Sequence, residues 1–453
     1  MPQKTPTLYY DVTQLIHHNG KITGIPRVMH ELAVRFRTER ENVVFVSWVK
    51  EIQALCEVDL DKSLAHRGKE IFYLHGNQTA APAATAPSRK EISSKPVTPP
   101  SQLFKKGVVK VAKKGLRGVA RFQPELSEKL EYRAKLARMH RYKKANFQKG
   151  DELFIPWGEW WDANFIVKLQ EWHKRDGLKL VQIIHDMGPV VVPHLSGAGG
   201  AGGSTKTFPA YCRAILPICS LVLTVSENSK KDTIEWLTAN KLKVPPIEFF
   251  RLGDDIEIAH PRKTHDPAYL NSGLKGNDFI LCVGTMEAKK NHMLFYYVYK
   301  LAMRRGIELP KLVMVGRKGW MVDQTLEFMT KDPEVKDKFI FLHNEGDEEL
   351  SWLYDKCLFK VLPSFYEGWG IPIAESIARG VPCLSANTSS MVEVAPGFVE
   401  HFDPYSTDEC LAGIERWLDP KKLQAAREKV KKYKQFSWDD SFTQVARLMK
   451  EIK

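Results

Sequence analysis

Two glutamates, Glu367 and Glu375, have seven residues between them in the stretch PSFYEGWGIPIAESIARGVP, residues 363–382, and Gly368, Gly370 and Pro372 lie in that interval. The preceding run FKVLPS reads as a buried strand ending at Pro363. Glu367 then falls on the loop at a strand's carboxyl end, where open α/β sheets bind ligands. Pro372 suits the first turn of the next helix, because its missing N–H would be unpaired there anyway, and Glu375 follows within that turn. Gly368 and Gly370 let backbone N–H groups approach a ligand closely. The helix N-terminus adds a partial positive charge, so a phosphate or diphosphate is the natural guest. A carboxylate in the same turn can accept hydrogen bonds from sugar hydroxyls, as in ribose recognition by α/β folds. One carboxylate would face a reacting sugar and the other a ribose, with a diphosphate across the loop between them. Spacing alone also fits a plainer account, with Glu375 complementing the helix dipole and Glu367 solvated on its loop.

The elements that must position these residues alternate along the chain. TLYYDVTQLI, NVVFVSWV, EIFYLH, DELFIPWG, LKLVQIIHDM and SLVLTVS read as strands, with helical patterns such as RVMHELAVRFRTE and SKKDTIEWLTAN between several of them. FILCVGTM, KLVMVG, KFIFLH, FKVLPS and VPCLSA repeat the pattern later. Near-continuous Val/Ile/Leu runs point to strands buried on both faces, as in parallel sheets. Strand–helix alternation twice over predicts an α/β protein of two Rossmann-like, doubly wound domains. The boundaries expected are residues 1–250, with a basic insertion at about 80–147, then 262–430, then a C-terminal helix within 431–453. The polar segment Arg251–Asp278 separates the domains, Ala80–Ser101 is a Pro/Ala/Ser-rich linker, and SGAGGAGGST from Ser196 is a glycine loop.

With 453 residues the chain is too long for one ordinary core. No run of about 18 apolar residues is present to cross a bilayer, and the N-terminus lacks the apolar region of a signal peptide. Seven widely spaced cysteines without a CxxC exclude a disulfide framework or zinc site and fit reduced thiols in a cytoplasmic protein. The net charge of +13 is local: residues 101–147 carry fourteen Lys and Arg against three Glu. On a helical wheel, residues 102–122 place Phe104, Val108, Val111, Val119 and Phe122 opposite Lys106, Lys110, Lys113, Lys114, Arg117 and Arg121. That pattern fits an interfacial helix on an anionic membrane, with residues 102–121 as the contact; a solvated insertion is the alternative. No nucleic-acid motif accompanies the charge. The Asp59/Asp61 and Asp254/Asp255 pairs lack nucleotide context, GAGGAGG is not a dinucleotide fingerprint, and no metal site or catalytic triad is indicated.

The stretch 363–382 resembles the signature of the family-four retaining glycosyltransferases, which have the GT-B fold. FILCVGTMEAKKN (279–291), VGRKGW from Val315, DEELSWLYDKC from Asp347 and NTSSMVEVAPG from Asn387 are similar to further elements in the expected order. DVTQL at Asp11, TGIPRV at Thr23, IIHDM at Ile183 and LTVSENSKKD at Leu223 resemble a bacterial subgroup. The resemblance implies that Glu367 helps hold a cationic transition state, that Glu375 binds ribose hydroxyls, and that the backbone of Gly368, Trp369, Gly370 and Ile371 contacts the diphosphate. Lys290 would neutralise the leaving diphosphate, beside Lys289. Thr285 stands where many members carry arginine, and Lys289 where Gly-Thr members usually do. Thr23 and Gly24 would reach donor phosphate and acceptor, and His185 would sit near the donor sugar. Arg27 is either a helix-surface residue or an acceptor-phosphate contact; Ser226 with Glu227, and Ser389 with Ser390, fit the cleft edge or a helix start. FSWDDSFTQVARLMKEI from Phe436 would return to the N-terminal domain.

The implied reaction is metal-independent transfer of a hexose, with mannose from GDP-mannose as first guess, from a nucleotide-diphosphate donor to a lipid-linked or oligosaccharide acceptor. The implied setting is surface-polysaccharide (lipopolysaccharide) synthesis at the inner face of the cytoplasmic membrane, with no cofactor besides the donor. An epimerase-type GT-B enzyme and a non-catalytic sugar-nucleotide-binding subunit are the other classes.

Overall fold

The computed structural model describes residues 6–18, 22, 24–65, 142–197, 203–254, 274, 276–343 and 345–452. Thr23, the EIFYLH run, residues 102–121 and most of the expected basic insertion lie outside the described residues.

The first sheet contains β1 (Leu8–Asp11), β2 (Val43–Val49), β3 (Ala54–Glu57), β4 (Glu152–Ile155), β5 (Lys179–Ile184), β6 (Leu221–Thr224) and β7 (Ile247–Phe249). Their order is β3-β2-β1-β4-β5-β6-β7, parallel except for the edge pair β2–β3. The second contains β8 (Phe279–Val283), β9 (Lys311–Val315), β10 (Phe339–Leu342), β11 (Lys360–Leu362), β12 (Cys383–Ala386) and β13 (Glu400–Phe402), all parallel, in the order β10-β9-β8-β11-β12-β13. The central strands are buried on both faces because helices cover both, which is why they are continuously apolar. In each sheet the strand order reverses once, between β1 and β4 and between β8 and β11. Ligands bind in the crevice such a switch point leaves at the strands' carboxyl ends. β8 and β11 pair in register at Leu281–Lys360, and the loops that follow both strands carry the candidate chemistry.

One sequence expectation is corrected here. TLYYDVTQLI is strand only over Leu8–Asp11; Thr13–His17 is helical. The Asp11 carboxylate accepts from the backbone N–H of Thr13 at 2.9 Å and from its hydroxyl, which turns the chain out of the sheet.

The two halves are joined twice. After β7 the chain enters the second domain, and helix Trp438–Lys450 returns to the first, opened by a Ser437/Asp440 capping box. Its apolar face (Phe442, Val445, Leu448, Met449) joins the core under β1 and helix Ile25–Glu39. Phe442 meets Phe36 edge-on, ring centroids 5.0 Å apart. Asp254 pins both crossings: Phe436 N–H donates to its carboxylate at 2.7 Å and Arg251 lies 2.9 Å from it.

Candidate active site

Lys290 ends the short turn Ala288–Lys290 that follows β8, and Glu367 lies on the loop after β11, so the switch point brings them together. They form a direct ion pair. Glu367 is only 7% exposed, and Ser364 Oγ donates to it at 2.7 Å. Burial alone would raise its pKa; the Lys290 and Lys289 ammonium groups and the Ser364 hydroxyl outweigh burial and hold it below the usual carboxylate range. Glu367 is therefore charged at neutral pH.

Lys289 points the other way, across the interface. Its Nζ lies 3.4 Å from Asp186 and 3.9 Å from Glu287. Burial opposes its charge, but Asp186, Glu367 and Glu287 outweigh burial and raise its pKa. Asp186 follows the same logic in reverse: burial raises it, and Lys289 with the Gly188 N–H brings it below its ordinary value. His185, next to it at the end of β5, has its pKa lowered to about 4 by burial. Its Nε2 is 2.7 Å from the carbonyl of Pro156, so in the neutral ring Nε2 carries the proton and Nδ1 is left as an acceptor.

The glycine loop is held by hydroxyls. The Glu367 N–H donates to Ser389 Oγ at 2.9 Å, and Ser390 Oγ donates to the carbonyls of Glu367 and Trp369 at 2.8 and 3.0 Å. Gly370, at φ +108°, starts helix Ile371–Ala378. The helix begins with Ile371 and Pro372, and the N–H groups of Gly368, Trp369, Gly370 and Ile371 make no hydrogen bond among the described residues. Trp369 is buried, with its ring in the core shared with the N-terminal domain. Thr285 lies on the loop after β8, partly exposed.

Several placements differ from expectation. Glu375 is the fifth residue of its helix, beyond the first turn; its carboxylate is held by Arg27 Nη1 at 2.8 Å and by the Tyr354 hydroxyl at 3.2 Å. Arg27, partly exposed on its helix, thus reaches across to the opposite domain. Gly368 is also kept small by the facing domain: an added Cβ would stand 2.1 Å from the carbonyl oxygen of His185. Ser226, read as cleft edge or helix start and a candidate substrate contact, is fully buried and caps helix Glu227–Ala239 by accepting from Ser229 N–H at 3.0 Å. Gly24, by contrast, has open space around it and a φ of +60° at the start of helix Ile25–Glu39.

Other residues here were not singled out from the sequence. Glu393 accepts from the N–H groups of Glu227 and Asn228, both at 2.8 Å, and so ties the second domain to a helix N-terminus of the first. Tyr366 donates to Asp232 at 2.5 Å across the same interface. A cavity of about 220 Å³ opens between the domains, lined by Trp157, Trp160, His185 and Phe208 from one side and Lys289 and Trp320 from the other. Lys290, Glu367 and Glu375 do not line it; they lie in the ion pairs beside it. At the other switch point Asp11 and Glu159 are buried, which raises their pKa values to about 6 and about 7. Among the described residues no group of three or more His, Cys, Asp or Glu could hold a metal ion, and no helix is long and apolar enough to cross a membrane.

Residues 271–435 match the family described as glycosyl transferases group 1. The C-terminal domain belongs to that family. The group 1 domain thus contains Lys289, Lys290, Glu367 and Glu375, while His185, Asp186 and Arg27 face it from outside the matched region. The chain is similar to serotype-specific mannosyltransferase WbdA of Escherichia coli, 26% identical over 244 residues, 52% of this chain and 29% of WbdA. It is also similar to O-antigen chain mannosyltransferase B of Escherichia coli, 30% identical over 237 residues, 51% of this chain and 60% of that protein. The matches thus span less than two thirds of either relative's length. Among solved structures, sucrose-phosphate synthase from Thermosynechococcus elongatus superposes with a TM-score of 0.60 at 14% identity, covering 98% of both chains. Anabaena HepE, solved in complex with UDP and glucose, gives 0.57 at 13% identity over 98% of this chain and 99% of its own. The architecture is the GT-B fold.

Proposed function

We propose that this chain is a retaining glycosyltransferase that moves a sugar, mannose in the first instance, from a nucleotide-diphosphate donor to a hydroxyl of a saccharide acceptor. The observation that carries the reading is the buried Lys290–Glu367 pair at the β8/β11 switch point, beside a helix N-terminus with open N–H groups. In this reading the diphosphate lies on the N–H groups of Gly368–Ile371 and exchanges with Glu367 for Lys290, whose ammonium then offsets charge as the leaving group departs. Glu367, held ionised, faces the anomeric carbon as positive charge builds there. Glu375 accepts from the ribose hydroxyls, and His185 Nδ1 accepts from a hydroxyl of the donor sugar. The donor's own phosphate oxygen assists deprotonation of the acceptor, so no metal is required. The acceptor enters through the aromatic-walled cavity.

The names of the similar mannosyltransferases support mannose and surface-polysaccharide synthesis, and GDP-mannose is the donor to try first. A lipid-linked acceptor on the cytoplasmic membrane face would give the basic segment 102–121 its use, with each basic residue contributing about 1 kcal/mol at an anionic surface. Deleting 102–121 should then lower co-sedimentation with anionic liposomes, as should added salt.

The test is a thermal-shift panel of nucleotide sugars, followed by a transfer assay with the stabilising donor. Glu367→Gln should lower kcat by about 10²–10³-fold while donor binding persists. Conversion of the donor without any acceptor, or full transfer by Glu367→Gln, would overturn the reading.

A further inference from the structure

Lys360, the first residue of β11, has no solvent exposure, and no other lysine or arginine among the described residues is buried. Its neighbours in sequence, Phe359 and Val361, belong to the apolar core of the second domain. A buried ammonium is costly unless every proton finds a partner, so its contacts define what it does. Nζ donates to the hydroxyl of Tyr354 at 3.0 Å and to the carbonyl of Pro372, in the first turn of helix Ile371–Ala378. It also lies 5.2 Å from the centroid of the Tyr354 ring. The Tyr354 hydroxyl in turn donates to Glu375 Oε2. Glu375 is therefore held from beneath through Tyr354 and along its own helix through Pro372, both by one buried cation.

We propose that Lys360 is a positioning residue that presets the Glu375 carboxylate for a nucleoside's ribose hydroxyls, acting through Tyr354 and the Pro372 carbonyl. The inference rests on the reading of Glu375 given above and adds the device that orients it. Oε2 stays anchored on Tyr354, while Oε1 is held by Arg27 from the other domain. A ribose hydroxyl then has one partner to displace, and the acceptor oxygen it meets is already aimed. Burial pushes the Lys360 pKa down, yet its Nζ hydrogens are committed to the Tyr354 oxygen and the Pro372 carbonyl, which leaves the phenol's own hydrogen for Glu375.

The experiment is calorimetric titration of the full chain with GDP and with 2′,3′-dideoxy-GDP, in the wild-type protein, Lys360→Met, Tyr354→Phe and the double variant. Wild type should favour GDP by about 10–100-fold, the range for hydrogen bonds to a charged acceptor. Each single variant should bring that preference to within about threefold, with dideoxy-GDP affinity unchanged and the double variant no weaker than either single, the signature of residues acting as one unit. A purely structural role would weaken both nucleotides alike. That outcome, or a folded Lys360→Met chain that keeps the ribose preference, overturns the proposal. If Lys360→Met does not fold, Tyr354→Phe, which removes a single oxygen, decides the matter by the same ratio. Failure of the wild-type chain to bind GDP or UDP would overturn the nucleotide-sugar reading and the proposal with it, a result distinct from loss of ribose selectivity alone.

Discussion

Gly368 lies against the end of β5 in the other domain, and Gly368→Ala tests whether that contact sets the catalytic geometry. The methyl group would sit 2.1 Å from the His185 carbonyl oxygen and 3.0 Å from the Asp186 Cβ. Carbon and oxygen do not approach within about 3 Å without strong repulsion, so the loop and the end of β5 must separate by about 1 Å. Neither neighbour can yield as a flexible side chain does, because the closest atom is backbone. His185 and Asp186 on one side and Glu367 on the other would shift by that amount relative to each other. Misplacement of about 1 Å costs on the order of 10²-fold in rate, about 2.7 kcal/mol of barrier. Trp369, next to Gly368, packs in the core the two domains share, so stability is followed beside the rate and the comparison is made on folded protein. The assay is steady-state sugar transfer from the preferred donor, with melting followed by circular dichroism. A folded Gly368→Ala chain with kcat within about threefold of wild type would refute the reasoning, because it would show that transfer does not depend on how closely these loops meet.

Three further outcomes follow from other sites. Gly24→Ala meets no atom within 4 Å, yet its φ of +60° and ψ of −134° suit glycine alone; it should lose about 1–3 kcal/mol in urea denaturation from backbone strain. Phe442→Ala, which removes the ring packed on Phe36, should cost about 3–5 kcal/mol by the same measurement; a loss below about 1 kcal/mol would show that the helix is not part of that core. Glu159, whose folded pKa is raised by burial to about 7, must ionise at a cost as pH rises through that value. Glu159→Gln should therefore melt at a higher temperature than wild type at pH 8, and the difference should vanish below about pH 4.5, where the carboxyl is neutral folded and unfolded alike. An unchanged difference across that range would refute the assignment.

The central strands were readable because burial on both faces forces unbroken Val, Ile and Leu, as in β5 and β9. The short strands β3, β7 and β13, written ALCE, IEF and EHF, were not, because three or four residues with a charge among them carry no distinguishable period. The stop at Asp11 was hidden for a different reason: a side-chain bond to Thr13 overrode an apolar run. At the site, the pairing of Lys290 with Glu367 lay within reach of motif reasoning, since both follow strands of one sheet. The partners across the interface did not. Arg27 and Glu375 are 348 positions apart, and Glu393 lies 166 from the N–H it accepts; only the docking of two domains makes them neighbours. The second demand on Gly368, set by the His185 carbonyl that faces it, was hidden on the same account, because a glycine required by a facing carbonyl and one required by a ligand look identical in one dimension.

The returning helix Trp438–Lys450 has a consequence for how the molecule is made. Part of the first domain's interior is supplied by residues that leave the ribosome some two hundred positions after β7. Until then, the seat for Phe442, Val445, Leu448 and Met449 stays open to water, and β1 with helix Ile25–Glu39 has to wait for its final cover. Folding of the first half is thereby tied to completion of synthesis of the second, so that a nascent chain halted between the domains would present an oily groove to chaperones instead of a finished unit.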